Sequence, residues 1–322
     1  MPRCEPVKLS VLFPETRSIA TVDALAQRAD ALGVHGMFLG SAFGFDPVMA
    51  LALAGPSTDR VLLGTAVVPT WPRHPVVAAQ QAATANAACG GRFRFGVGPS
   101  HPPVMSMYGF DYDRPVGHLR EWLTIVRALL HDGKVSHSGE RYRVTAFLDV
   151  ETPGPPPVLL GVLHPQLARL AGALADGALP WLAPPAWVAD VVVANVRTGA
   201  DSAERAAPPV IAELPCYVST DRAAVLEAAR RDLSIYPMMP AYADVLGHAL
   251  GRDASEVTAD GWTDQCTDAV VIWGDRDTVA SRVQEYFDAG ADEVVLSPYG
   301  CGDDPDANLD EALEVLGDIA RS

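Results

Sequence analysis

The strongest constraint on this chain is an alternation that runs from end to end. Short apolar runs at 7–13, 34–40, 61–68, 93–98, 157–163, 177–183, 209–219 and 293–298 each give way to a stretch with helical spacing. Most of these runs are apolar on both faces, not only at every second position. That is the pattern of strands covered by helices on both faces, and hence of a parallel sheet. The stretches between them carry helix punctuation. "TVDALAQRADALG" sets Val22, Leu25, Ala29 and Leu32 on one face and ends at Gly33. "DPVMALALAG" opens with Asp46 as N-cap and Pro47 at the first helical position. Eight such units in 322 residues predict an α/β chain folded as a (β/α)8 TIM barrel, one domain over 1–322. An open doubly wound sheet is the alternative.

Two segments interrupt the rhythm. Residues 134–156, after the fourth helix, read as a hairpin with a stiff, proline-rich exit. Residues 235–275, between the seventh and eighth strands, contain "YPMMPAY" and "DGWTDQCTDAVVIWGD" and repeat nothing else in the chain. Inserted segments in barrels cover the active face or form subunit contacts.

Charge and cysteine content narrow the partners. A net charge of −16 argues against nucleic acid or an anionic membrane, both of which need a basic surface. The five cysteines, at 4, 89, 216, 266 and 301, are odd in number, scattered and without a C-x-x-C pair. They read as reduced thiols, with neither a disulfide framework nor a metal site. The N-terminus places Glu5 and Lys8 around a short apolar run, which suits a first strand and not a signal peptide. No apolar run approaches the roughly 18 residues that span a bilayer. The expectation is a cytoplasmic protein acting on a small molecule, with no nucleic acid and no membrane as partner.

A barrel builds its site from the turns at the carboxyl ends of its strands. Here those turns read "GSAFGF" (40–45), "PTWPRHP" (69–75), "GPSHPP" (98–103), "HPQ" (164–166), "PWLAPP" (180–185) and "SPYGCG" (297–302). They hold no paired carboxylates for glycosidase chemistry, no acidic or histidine metal cluster and no lysine suited to a Schiff base. They are rich in Gly, Pro, Ser and aromatic residues. Small residues let a backbone approach a ligand closely, and aromatics wall an apolar cavity. That suits a large flat cofactor carrying its own chemistry. Ser100 and His101 are the best-placed polar pair. Phe43, Trp71 and Trp181 are candidate pocket walls. His74, before Pro75, reads as the shaper of a helix start and His35 as a packing residue, while His118, His131 and His248 fall in helical stretches.

Four stretches, "GTAVVPTWPRHP", "GGRFRFGVGPSHPPVMSMYGFDYDRPVGHLREWL", "LAGALADGALPWLAPP" and "GDRDTVASRVQEYFDAGADEVVLSP", occur in that order. Together they resemble the bacterial-luciferase-like flavin and deazaflavin oxidoreductases, over nearly the whole chain. The second stretch resembles the branch that uses coenzyme F420. The resemblance implies a barrel, a hydride passed between F420 and a small organic substrate, and a homodimer. FMN with a monooxygenase reaction is one alternative; a non-catalytic flavin-binding barrel is another.

By position, the resemblance implies a non-proline cis peptide at Ala66–Val67, pressing with Val68 on the cofactor ring. It implies that Gly98, Pro99 and Ser100 lie beside ring and tail, and that Gly161, Val162, Leu163 and His164 form a phosphate-holding turn before Pro165. It places Gly40 and Ser41 beside the cofactor and Trp181 on a facing wall. Some relatives carry an Asp-His pair after the second strand, where this chain has Gly40-Ser41-Ala42-Phe43. His101 is therefore the candidate catalytic residue. The turn at 161–164 also lacks the family's paired glycines.

Overall fold

The computed structural model describes residues 7–14, 18–41 and 43–322; Cys4, Glu5 and Ala42 lie outside them. The strands of its main sheet are β1 (Leu9–Phe13), β2 (Gly36–Leu39), β3 (Leu62–Thr65), β4 (Val68–Pro69) and β5 (Phe93–Gly98). An antiparallel pair follows, β6 (Lys134–Ser138) and β7 (Arg143–Phe147). The main sheet then resumes with β8 (Val158–Gly161), β9 (Gly177–Leu179), β10 (Ile211–Val218), β11 (Ile272–Gly274) and β12 (Glu293–Pro298).

Neighbours in the main sheet run β11–β10–β12–β1–β2–β3–β5–β8–β9, and every pair is parallel. The sheet curls until its ends meet. Parallel bridges join Ala178 to Val210 and Trp181 to Glu213. There Glu213 N–H donates to the Pro180 carbonyl at 2.8 Å and Leu182 N–H to the Glu213 carbonyl at 3.1 Å.

Each of the eight apolar runs contains a strand, and β5 coincides with 93–98 residue for residue. The run 61–68 does not form one strand. β3 stops at Thr65, the Ala66–Val67 peptide is cis, and the chain resumes as β4 against β5. Some elements went unread. A helix over Pro102–Met107 follows β5 at once, and β11 adds a further strand beside β10.

Two hydrophobic layers hold the curl. Leu12, Phe38, Leu159, Leu179, Ile211 and Val295 fill its inside, with Ala66, Val67 and Trp181 packed against them. Alternate strand residues such as Leu214, Val294 and Leu296 face the covering helices. Gly64 exists because a Cβ there would stand 2.6 Å from the Phe38 ring. The helices carry the caps read from sequence. Asp46 accepts from Met49 N–H at 3.1 Å, His74 from Val76 N–H at 3.3 Å, and Gly33 closes its helix at φ 75°.

The β6–β7 hairpin is held down by Glu121, whose carboxylate accepts from the amides of Glu140, Arg141 and Tyr142. Residues 235–275 form a 3-10 turn, helices Pro240–Leu250, Ala254–Asp260 and Asp264–Val270, and then β11. They pack around their own core of Leu246, Val257, Trp262 and Cys266 beside Tyr217. Cys89, Cys216, Cys266 and Cys301 are buried free thiols.

Candidate active site

The first piece of the site is the break in the third apolar run. Thr70 N–H donates to the Gly98 carbonyl at 3.0 Å, which lays the chain after the cis peptide along the end of β5. Val67 turns inward, and Val68 turns outward into the fully buried shell beneath the helices. Val67 meets two glycines. A Cβ on Gly98 would stand 2.8 Å from Val67 Cγ2, and one on Gly161 3.4 Å from its Cγ1. Ala66, Val67, Gly98 and Gly161 thus converge on one slim, apolar wall at the carboxyl ends of β3, β5 and β8. Val68, by contrast, is a core residue and cannot press on a ligand.

The turn after β5 is rigid and strained. Pro99 is buried, and Ser100 sits in the left-handed region at φ 61°, which non-glycine residues adopt at a cost. Its carbonyl accepts from Tyr112 Oη–H at 3.2 Å. His101 follows, half-buried at the head of the 102–107 helix without capping it. Its ring centroid lies 5.4 Å from that of Tyr242. Burial holds its pKa below the usual histidine value, so the imidazole is neutral at neutral pH.

The other expected residues divide. His164 precedes the Pro165–Leu174 helix without capping it, so the first amides of that helix are free of side-chain partners from it. Val162 and Leu163 send their side chains into the core, and the turn offers a ligand only backbone. Ser41 is half-buried after β2. Gly40 has another reason to be glycine: a Cβ there would collide with the Pro14 carbonyl.

Two of the three candidate pocket walls stand elsewhere. Phe43 is 64 % exposed and packs edge-on against Tyr108 at 6.4 Å, outside the curl. Trp71 stacks on His118 with centroids 3.9 Å apart, and the Arg141 guanidinium lies over its ring at 5.2 Å. Thr70 Oγ1 shares a 2.9 Å hydrogen bond with His118 Nε2, and burial, helped by Arg141, drops that imidazole to about 4. Trp71 and His118 therefore lock the 69–75 loop onto the helix Pro115–Asp132. Trp181 alone stands inside, beside the Val67 wall.

What faces Trp181 was missed in the sequence. Tyr236 and Tyr242 come down from the 235–275 segment, their rings 4.9 Å apart and edge to face, with Tyr236 6.1 Å from Trp181. With His101 they make an aromatic rim. Beneath it, inside the curl, is Glu213. By strand alternation it shares the inward face of β10 with Ile211, and it is bridged to Trp181. It is 3 % exposed, and its Oε1 has no hydrogen-bond partner. Burial, with the Glu293 charge below, pushes its carboxyl up to about 8. The signal was present: one acid at an inward position of an otherwise apolar strand, "PVIAELPCYVS". Among the described residues no group of three or more metal-ligating side chains gathers, and no helix is long and apolar enough to cross a membrane.

Residues 8–293 match the family described as luciferase-like monooxygenase. The chain belongs to that family. Among relatives of this luciferase-like protein is the 5,10-methylenetetrahydromethanopterin reductase of Methanolobus tindarius, 25 % identical over 84 % of this chain and 86 % of that protein. Another is the F420-dependent glucose-6-phosphate dehydrogenase of Nakamurella multipartita, 28 % identical over 78 % of this chain and 75 % of that one. In fold the luciferase-like chain superposes on an F420-dependent secondary alcohol dehydrogenase in complex with an F420–acetone adduct. The TM-score is 0.80 at 19 % identity, over 98 % of this chain and all of that one. It also superposes on the FMN-bound oxygenating constituent of 3,6-diketocamphane monooxygenase from Pseudomonas putida, with a TM-score of 0.74, 16 % identity and 98 % of both chains covered.

Proposed function

We propose that this luciferase-like protein is an oxidoreductase passing a hydride between the deazaflavin coenzyme F420 and a small, neutral organic substrate. The observation that carries the reading is the flat apolar wall of Ala66, Val67, Gly98 and Gly161 facing an aromatic rim. Such a slot suits a planar ring that brings its own redox chemistry. The F420-dependent glucose-6-phosphate dehydrogenase among this chain's relatives favours the deazaflavin over FMN.

The residues present fit such a group. Val67 backs the ring, with Ser41, Pro99 and Ser100 at its edges. The amides that open the Pro165–Leu174 helix, with His164 beside them, hold the phosphate of the tail. When bound, the deazaflavin supplies a two-electron hydride centre. The chain's own work is then to orient, to keep water out and to manage one proton. His101, Trp181, Tyr236 and Tyr242 close over the substrate, and the neutral His101 imidazole hydrogen-bonds to it and passes protons. The rim's lack of charge favours an uncharged substrate.

The test is a binding titration of the purified protein with F420 and with FMN, followed by fluorescence. Secondary alcohols, glucose 6-phosphate and enones are then offered as hydride partners. Tight F420 binding is expected. Micromolar binding of FMN with none of F420 would sink the reading.

The working unit is proposed to be a homodimer. The helix Pro47–Ala54 is apolar around its circumference and leaves Met49 and Leu53 exposed, and Val77 is exposed on the helix Pro75–Ala88. Sedimentation should give a dimer, and Leu53→Asp a monomer.

A further inference from the structure

The reduction of a carbonyl, imine or activated alkene adds a hydride and a proton, and the second must come from somewhere inside a closed site. His101, whose pKa burial lowers, can relay a proton but holds none in reserve. We propose that Glu213 is the site's proton store: a neutral carboxyl on the inward face of β10 that donates its proton to the substrate. The inference rests on the oxidoreductase reading above and assigns a residue within that site.

The placement is set by the fold. Glu213 pairs in register with Val295 of β12 and is bridged to Trp181, so its side chain stands one layer above Ile211. Ala66, Val67 and Trp181 pack against that same interior layer, which places the carboxyl at the level of the cofactor wall. The groups that face it are few. Below are Arg94 and Glu293, committed to each other by two hydrogen bonds of 2.9 Å. Above are Tyr236 and Tyr242, both uncharged, whose hydroxyls are pushed up chiefly by burial. Ser297 shares the inward face of β12 with Val295, and its Oγ has no partner within hydrogen-bond geometry. No cation is free to neutralise Glu213 among these groups.

A buried carboxyl in that setting keeps its proton, and its Oε1 has no acceptor within the protein to spend it on. The substrate is the acceptor that completes it. The balance is simple. A bound reduced deazaflavin would supply the hydride and be oxidised by two electrons. The substrate carbon gains the C–H bond, and its neighbouring atom becomes anionic. The Glu213 O–H bond breaks as that atom takes the proton, leaving a carboxylate. Solvent reprotonates the carboxylate past the tyrosine rim when product leaves. In the oxidising direction the same carboxylate takes the proton from an alcohol.

Glu213→Gln tests it, since the amide keeps shape and polarity and cannot lose a proton. Two readouts are used. The first needs no cofactor: infrared difference spectra of wild type minus Glu213→Gln, between about pH 6 and about pH 10, where the carboxyl crosses its raised value. A protonated-carboxyl band that disappears on the alkaline side is expected. The second follows reoxidation of reduced F420 by cyclohexenone. General acids contribute about 10²–10⁴-fold, so Glu213→Gln should slow it at least ~100-fold. Wild-type activity should fall on the alkaline side of about 8, and the variant should lose that pH limb. Affinity for F420 should stay within about threefold, and Glu213→Asp should recover part of the rate. An ionised Glu213 at about pH 6 overturns the proposal. So do reoxidation rates that are the same in both proteins, including none in either. Wild-type protein that fails to bind F420 overturns the functional reading instead, and the infrared result then judges Glu213 on its own.

Discussion

Two glutamates stand inside the same curled sheet, on neighbouring strands, and meet opposite fates. Glu293, at the amino-terminal mouth, accepts both Arg94 nitrogens at 2.9 Å and the Ser10 hydroxyl at 2.6 Å, with His35 Nε2 3.8 Å away. Glu213 lies one step up the neighbouring strand, since Ile211 pairs with Glu293 and Glu213 with Val295. It is as buried as Glu293 and has an unpaired oxygen. Burial alone therefore does not decide what a carboxyl does; the partner count does. The lower mouth satisfies its buried charges and reads as stability. The upper mouth leaves an acid unsatisfied among aromatics, in the half of a barrel where sites are built.

The largest effect should come from breaking the satisfied mouth. Arg94→Ala leaves Glu293 charged and buried without its bidentate partner. Losing one member of a buried pair costs about 3–5 kcal/mol, read by urea or guanidinium unfolding. A loss below about 1 kcal/mol would erase the contrast between the mouths.

Glu213→Gln should do the reverse and stabilise. Glu213 titrates at about 8 when folded, against an ordinary 4.5. The folded protein thus holds this proton more firmly than the unfolded chain does. Its burden is absent below the unfolded value, grows as pH rises through that window, and is complete above about 8. The variant's advantage should follow the same course, reaching on the order of 5 kcal/mol at about pH 9. A constant difference across pH would mean that Glu213 is ionised in the folded protein.

The wall beside Glu213 gives a smaller effect. Gly98→Ala puts a methyl 2.8 Å from Val67 Cγ2 and should cost about 1–3 kcal/mol. Adding Val67→Ala should return part of that loss, because the two side chains compete for one space. Independent, additive losses would show that the wall is not the unit described here.

Much of this was legible, and the reasons are physical. Strand 93–98 was read to the residue because a mostly apolar run between Gly91 and Pro99 has punctuation at both ends. His74 caps a helix as its position before Pro75 suggested, and the Ala66–Val67 cis bond stands where the family resemblance implied it. β11 escaped because three residues carry no periodicity. Trp71 was misassigned because a strand-end aromatic can face either the ligand or a covering helix. Its partner His118 lies 47 positions away, where spacing says nothing of stacking. Tyr236 and Tyr242 were hidden because an inserted segment folds back by tertiary packing, which local pattern does not encode.

The smallest stability change belongs to His101. His101 is half-buried, caps nothing and meets Tyr242 only through its ring. His101→Ala should therefore shift stability by no more than about 0.5 kcal/mol, the range of substitutions outside the core. It should nonetheless cut turnover at least ~10-fold with little change in F420 affinity, if it touches substrate at the rim. If affinity falls and turnover holds, His101 instead grips the cofactor. If stability falls by more than about 1 kcal/mol, the upper mouth is braced as firmly as the lower one, and the division between a stable mouth and a working mouth fails.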